Sequence, residues 1–92
     1  MPPAENLSSL MSEAASHHSE GRLVEAESLY RRVLSSDPDY PDALHWLGVL
    51  CQQKGDSESA LGYIMRAVAL RPEVADFVNN LGNIHMARDE ID

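Results

Sequence analysis

At 92 residues, the chain is long enough for one small domain and too short for two independent hydrophobic cores. Its 43% hydrophobic and 24% charged residues are typical of a soluble globular protein rather than a disordered one. Fifteen acidic residues against seven basic ones give a net charge of −8. We therefore expect neither nucleic acid nor an anionic membrane surface as a partner, because both bind basic protein surfaces.

The N-terminal segment and the single cysteine bear on the cellular compartment. Residues 1–18 have neither the basic start nor the continuous apolar stretch of a signal peptide. No apolar run reaches the roughly 18 residues of a membrane span. Cys51 has no second cysteine for a disulfide or a zinc cluster, and its place on an apolar helix face predicts a buried core residue. We therefore expect a cytoplasmic protein.

The first two predicted helices cover about residues 6–20 and 22–36. Gly21 lies between them, and glycine is a common residue just beyond the end of a helix. Because this connection is so short, the two helices are expected to be antiparallel neighbours.

Two further helices repeat this arrangement, and a fifth follows over about residues 74–88. Pro41 suits the first turn of the third helix, which Gly55 ends, and Pro72 ends the fourth. Residues at spacings of three and four form one mostly apolar face of each of these helices. These residues are Leu44, Leu47, Gly48 and Cys51 in the third helix, Ala60, Leu61, Ile64, Ala67 and Val68 in the fourth, and Val78, Leu81, Gly82 and His85 in the fifth.

Small residues and turn residues recur every 34 positions, which indicates a solenoid of stacked helix pairs. Gly48 is the most informative of them, because glycine within a helix costs about 1 kcal/mol relative to alanine. We expect the missing side chain to let the two helices of its repeat cross closely, and Ala14 and Gly82 to do the same one period away. The other pairs at this spacing are Gly21 and Gly55, Ala26 and Ala60, and Pro38 and Pro72.

The repeated unit resembles the tetratricopeptide repeat, whose signature is W-x2-L-G-x2-Y, then A-x3-F, then P. The central unit supplies Leu44-x2-Leu47-Gly48-x2-Cys51, then Ala60-x3-Ile64, then Pro72. The first unit supplies Ala26-x3-Tyr30 and Pro38, but it has Glu13 where the family has a core leucine. Glu13 therefore indicates an N-terminal cap with a solvated outer face.

The resemblance implies the fold and the organisation of the chain. The fold would be an all-α, right-handed α-solenoid of antiparallel helix pairs, with about two and a half repeats and five helices. A single domain would cover residues 1–92, with repeats over about 7–40 and 41–74 and a partial third repeat over about 75–92.

Histidines are the candidates for catalytic or metal chemistry. His17 and His18 are adjacent and so point in different directions on a helix. His18 and His45 would share the concave surface, which leaves a two-histidine site as an alternative to packed or solvated side chains. The chain has no Gly-x-Ser-x-Gly elbow and no phosphate-binding glycine loop. We expect no enzyme activity, no cofactor and no metal.

The resemblance also implies a binding surface for a protein or peptide, because the first helix of each repeat lines the concave wall in this family. The wall has no lysine or arginine with which to clamp a C-terminal carboxylate. Asn80 and Asn83 resemble the asparagine ladder of O-GlcNAc-transferase-like proteins, whose amides bind a peptide backbone; alternatively, "NNLGN" marks only the fold. Trp46 replaces the ladder asparagine of its repeat and is a candidate hot spot. The predicted partner-binding residues are Met11, His18, His45, Trp46, Val49, Gln52, Gln53, Asn79, Asn80 and Asn83.

The fifth helix is apolar on more than one side, unlike a polar cap. Either the chain is the N-terminal piece of a longer repeat protein, or a second copy covers this face. We expect a homo-oligomer, and self-association is the alternative function. A more distant alternative is a recruiting domain of a glycosyltransferase or sulfotransferase, because residues 20–50 resemble N-terminal repeats of bacterial proteins of that kind. The predicted self-association residues are Phe77, Val78, Ile84 and Met86.

Overall fold

The computed structural model describes residues 6–91, with side chains described as far as residue 88. Five α-helices make up this range, and their order confirms an all-α helical repeat fold. Within it, no helix is both long and apolar enough to cross a membrane. The helices are α1 (Leu7–Ser19), α2 (Leu23–Ser36), α3 (Pro41–Gln53), α4 (Ser57–Leu70) and α5 (Ala75–Ile91).

The two glycine turns join α1 to α2 and α3 to α4. Gly21 and Gly55 adopt positive φ angles of 79° and 88°, which glycine adopts without steric cost. In the first turn, the N–H of Arg22 donates to the carbonyl oxygen of His17 at 2.9 Å. The second turn has the equivalent bond, from the N–H of Asp56 to the carbonyl of Cys51 at 2.9 Å. This bonding pattern satisfies the last carbonyls of each first helix and turns the chain back beside it.

Side chains also fix two helix starts. The Asn6 side chain accepts a hydrogen bond from the N–H of Ser9 at 3.2 Å at the start of α1. Asp56 does the same for the N–H of Ser59 at 3.1 Å at the start of α4. Each cap satisfies a backbone donor that has no partner within its helix.

The crossing of α3 and α4 accounts for Gly48. A Cβ atom added there would lie 2.5 Å from Cγ1 of Ile64 and 3.2 Å from the carbonyl oxygen of Ala60. The absent side chain therefore permits the close approach expected from the sequence. The same expectation is wrong for Gly82, because an added Cβ there would have nothing within 4 Å. No further helix of the described chain packs on that side of α5.

The core extends along the stack of helices. Its largest cluster joins both helix pairs and α5, a second lies where α1 and α2 meet α3, and a third lies between α3, α4 and α5. Cys51 is buried in the largest cluster, as the sequence predicted, and Glu13 is exposed. Other fully buried members are Ala14, Ala26, Tyr30, Leu47, Leu50, Ala60 and Ile64.

The structure corrects the predicted face of α5. Phe77 and Ile84 were expected on the uncovered surface, but they are only 3% and 2% exposed. Phe77 packs with Leu44 and Ala67, and Ile84 belongs to the largest cluster, so both face the preceding repeat. Val78 and Met86 are the members of that set which remain exposed, at 44% and 62%.

A polar network on the outer surface links the first helix pair to the second. Glu27 accepts hydrogen bonds from Nζ of Lys54 at 2.7 Å and from Nε of Arg31 at 2.9 Å. These bonds, with the one from Lys54 the stronger cause, lower the pKa of Glu27. Arg31 also donates to the hydroxyl of Tyr63 at 3.3 Å. Exposed ion pairs of this kind add little to the free energy of unfolding.

Candidate functional site

The candidate site is a pair of adjoining cavities on the side of α3 that carries Trp46, which together we name the central groove. Val49 and Gln53 lie one turn apart on α3, and both side chains border both cavities. The first cavity has a volume of about 380 Å³ and the second about 210 Å³. The first is also lined by Ala15, His18, Ser19, Tyr30 and Trp46, and the second by Gln52, Ile64, Asn80, Asn83 and Ile84.

Trp46 forms a wall of the first cavity and is 42% exposed. Its ring meets the ring of His18 edge-on at a centroid distance of 6.0 Å. The ring of His45 also meets it edge-on, at a centroid distance of 4.7 Å. The neighbouring rings therefore support the indole, while part of its surface stays open to a ligand.

His18 connects α1, α2 and α3 across the same cavity. Its Nδ1 lies 2.9 Å from the hydroxyl of Tyr30, and its Nε2 lies 2.6 Å from Oε1 of Gln53. Because an amide oxygen only accepts, Nε2–H donates to Gln53, and in that tautomer Nδ1 accepts from the Tyr30 hydroxyl. Burial raises the pKa of Tyr30 to about 12, which keeps this hydroxyl a donor. The NH₂ group of Gln53 remains available for another partner.

His45 was expected on the open surface, and that expectation is wrong, because the side chain is 1% exposed. Its ring packs between Trp46 and Phe77, with a centroid distance of 4.6 Å to the phenyl ring. Nδ2 of Asn80 lies 2.7 Å from Nε2 of His45, whereas Nδ1 is buried with no described hydrogen-bond partner. Burial lowers the pKa of His45, although the nearby carboxylates of Asp42 and Asp76 oppose this shift.

The other predicted residues separate into two groups. Gln52 and Asn83 line the second cavity, and Oε1 of Gln52 is a buried acceptor with no described partner. Met11 packs against the core clusters instead of facing either cavity. Asn79 is exposed outside both cavities.

Tyr30 and Ile84 are among the groove-lining residues that were not predicted from the sequence as part of a binding surface. The repeat pattern places Tyr30 at a core position, and its ring is indeed buried. It nevertheless lines the first cavity and bonds there to His18. A core position in the pattern gives no signal of that second role.

The chemistry of the groove is uncharged. No lysine, arginine, aspartate or glutamate lines either cavity. The two-histidine alternative is not supported, since His18 bonds to Tyr30 and Gln53 while His45 bonds to Asn80. Over the described residues, no group of three metal-binding side chains comes together. Burial also raises the pKa of the Cys51 thiol, which disfavours the nucleophilic thiolate.

Solved structures with the same helix arrangement include part of an enzyme and a peptide-bound repeat domain. A mutant O-GlcNAc transferase of Thermobaculum terrenum superposes with a TM-score of 0.83 and 37% identity, over 85% of this chain and 15% of that one. The first TPR of Spaghetti (RPAP3), bound to the HSP90 peptide SRMEEVD, gives a TM-score of 0.85 at 20% identity, over 91% of this chain and 67% of that one. At that lower identity, the likeness shows the fold alone.

Sequence comparisons agree with the structural ones. The probable biofilm formation methyltransferase WspC of Pseudomonas putida is 28% identical over 87 residues, which is 95% of this chain. The chain spans about a fifth of that relative's length, since the match covers 20% of it. A family model described as tetratricopeptide repeat matches residues 17–73, more than half of the chain. The chain belongs to the tetratricopeptide repeat family.

Proposed function

We propose that the chain is a non-catalytic interaction module that binds an extended segment of a partner protein in the central groove. The observation that carries the proposal is the partly exposed Trp46, which lines the first of two adjoining uncharged cavities. Aromatic side chains in such positions supply much of the binding energy in protein interfaces.

The amide side chains support an extended peptide as the ligand. Gln53 has a free NH₂ group because His18 occupies its oxygen, and Asn80 has a free oxygen because its NH₂ group faces His45. The groove therefore offers a donor and an acceptor whose orientations are already fixed. Such a pair suits the alternating N–H and C=O groups of a peptide backbone, whose recognition tolerates varied sequences.

The proposal is tested by selecting ligands from a random peptide library displayed on phage. The wild-type chain is expected to enrich related peptides, and Trp46→Ala is expected to lose them. Met65→Ala is the matched control, because Met65 is a similarly exposed apolar residue on α4. Equal enrichment by the Trp46→Ala chain would exclude the groove as the binding surface.

A second candidate function is self-association through α5, as expected from the sequence. The observation that favours it is the exposed Val78 beside the uncovered Gly82. A second copy of the chain would cover this apolar strip. We expect a mass above that of the monomer in light scattering, and we expect Val78→Ser to lower it towards the monomer value. A monomeric wild-type chain at high concentration would exclude this candidate.

Two further proposals concern the longer protein that would contain this module and its cellular compartment. The 37% identity to part of an O-GlcNAc transferase supports a role in recruiting substrates for a transferase domain in a longer protein. The single cysteine supports the cytoplasm as its compartment.

A further inference from the structure

Positive charge is unevenly distributed over the helices. The described parts of α1 and α3 contain no lysine or arginine, and α5 contains only Arg88, in its last turn. The other cations lie on α2, on α4 and in the connections between helices. No lysine or arginine is among the residues that line either cavity of the groove.

Two carboxylates stand at one end of that surface. Asp42 lies one turn before Trp46 on α3, and Asp76 lies one turn before Asn80 on α5. Both side chains are exposed, and neither forms an ion pair with another described residue. Neither carboxylate lines the two cavities themselves, but each lies one turn from a residue that does. Asp42 also borders a separate cavity with Arg71, whose guanidinium pairs with Glu73.

The exposed surface of Trp46 complements the same charge. An indole face attracts a guanidinium or ammonium group by about 0.5–1 kcal/mol at an exposed site. Asp42 and Trp46 are four residues apart on a helix, a spacing that separates their Cβ atoms by about 5–6 Å. In an extended peptide, side chains on one side recur every two residues, a spacing of about 7 Å. Two cationic side chains at alternate positions would therefore reach Trp46 and Asp42 together.

We propose that the partner segment is a basic extended peptide, with one arginine or lysine side chain on Trp46 and a second beside Asp42 and Asp76. This inference rests on the proposed function of the groove and adds the charge of the ligand. An acidic peptide is disfavoured, because the groove has no cation to pair with it and the chain carries a net charge of −8.

The test uses three short synthetic peptides that are acetylated and amidated and that differ only at two alternate positions. Those positions hold arginine, norleucine or glutamate, so length and backbone stay constant. Trp46 is the one tryptophan of the chain, and its fluorescence reports on the groove directly. The arginine peptide is expected to bind about tenfold more tightly than the norleucine peptide. The glutamate peptide is expected to bind most weakly, and added salt should reduce the arginine advantage.

Two double variants distinguish the effect of the carboxylates near the groove on peptide affinity from the effect of the net charge of the chain. Asp42→Asn with Asp76→Asn is expected to weaken the arginine peptide several-fold and to leave the norleucine peptide unchanged. Glu25→Gln with Glu58→Gln removes the same charge from exposed residues of α2 and α4, and it is expected to leave both affinities near the wild-type values.

Three outcomes would overturn the inference: equal binding of the norleucine and arginine peptides, equal losses in the two double variants, or no binding of the arginine peptide. In each case the phage selection decides separately whether the groove binds a peptide. Enriched peptides without basic residues, lost in Trp46→Ala, would refute the basic ligand while supporting the groove. A selection that does not depend on Trp46 would refute the groove itself.

Discussion

Helices α3 and α5 begin successive repeats in the same register, yet their surroundings differ. On α3, the face that turns towards the second helix of its repeat is buried throughout, from Leu44 to Cys51. On α5, the corresponding residues lie in open or half-open positions, because no described helix follows. The pairs are Leu44 and Val78, Leu47 and Leu81, Gly48 and Gly82, and Cys51 and His85.

The opposite face behaves alike in both helices. Ala43 and Leu50 of α3 are buried against α1 and α2, and their counterparts Phe77 and Ile84 are buried against α3 and α4. Each first helix therefore gains half of its core from the preceding repeat and half from the helix that follows it. Matched substitutions at corresponding positions of α3 and α5 measure how much stability the contacts with the following helix contribute.

Leu47 and Leu81 provide the largest expected difference. Leu47→Ala is expected to cost about 2–5 kcal/mol in the free energy of unfolding, because it removes buried methyl groups and leaves a cavity. Leu81→Ala is expected to cost clearly less, because Leu81 is only half-buried. Urea denaturation followed by circular dichroism measures both. Equal losses would mean that α5 is covered in solution, as a dimer would require.

Gly48 and Gly82 provide the next comparison. Gly48→Leu is expected to destabilise the fold by about 1–3 kcal/mol through overpacking against Ile64. Gly82→Leu is expected to be neutral or slightly stabilising, because it meets open space and leucine favours helix by up to about 1 kcal/mol over glycine. A wild-type melting temperature for Gly48→Leu would contradict the close crossing of α3 and α4.

The sequence predicted the helices well because each depends on local chemistry. Glycine at Gly21 and Gly55 permits a positive φ, and the apolar spacing around Leu44 and Leu47 defines one helix face. Both signals lie within a few residues of the feature that they specify. Because these local signals recur every 34 residues, they also indicate a repeated architecture.

The faces of α5 and the position of His45 were less predictable, because they depend on contacts between repeats. A helix that is apolar on two sides does not show which side meets its predecessor, so Phe77 and Ile84 were assigned to the wrong surface. His45 has the spacing of a concave residue, but Asn80 and Phe77 from the next repeat enclose it. No local pattern indicates a hydrogen bond between residues 35 positions apart.

The smallest expected effect is a pH dependence of the free energy of unfolding, which compares the buried His45 with the exposed His85. The native pKa of His45 is lowered by burial, whereas in the unfolded chain it stays near 6.5. Below that pH the unfolded chain binds more protons than the folded one, so the contribution of His45 to stability is complete above about pH 6.5 and is lost as the pH falls towards the native pKa. We expect the free energy of unfolding to decrease between pH 7.5 and 5, and the decrease to be smaller in His45→Gln. His85→Gln replaces an exposed histidine of α5 and is expected to retain the wild-type decrease. If His85→Gln flattens the profile as much as His45→Gln does, the pH dependence does not arise from the burial of His45 between α3 and α5.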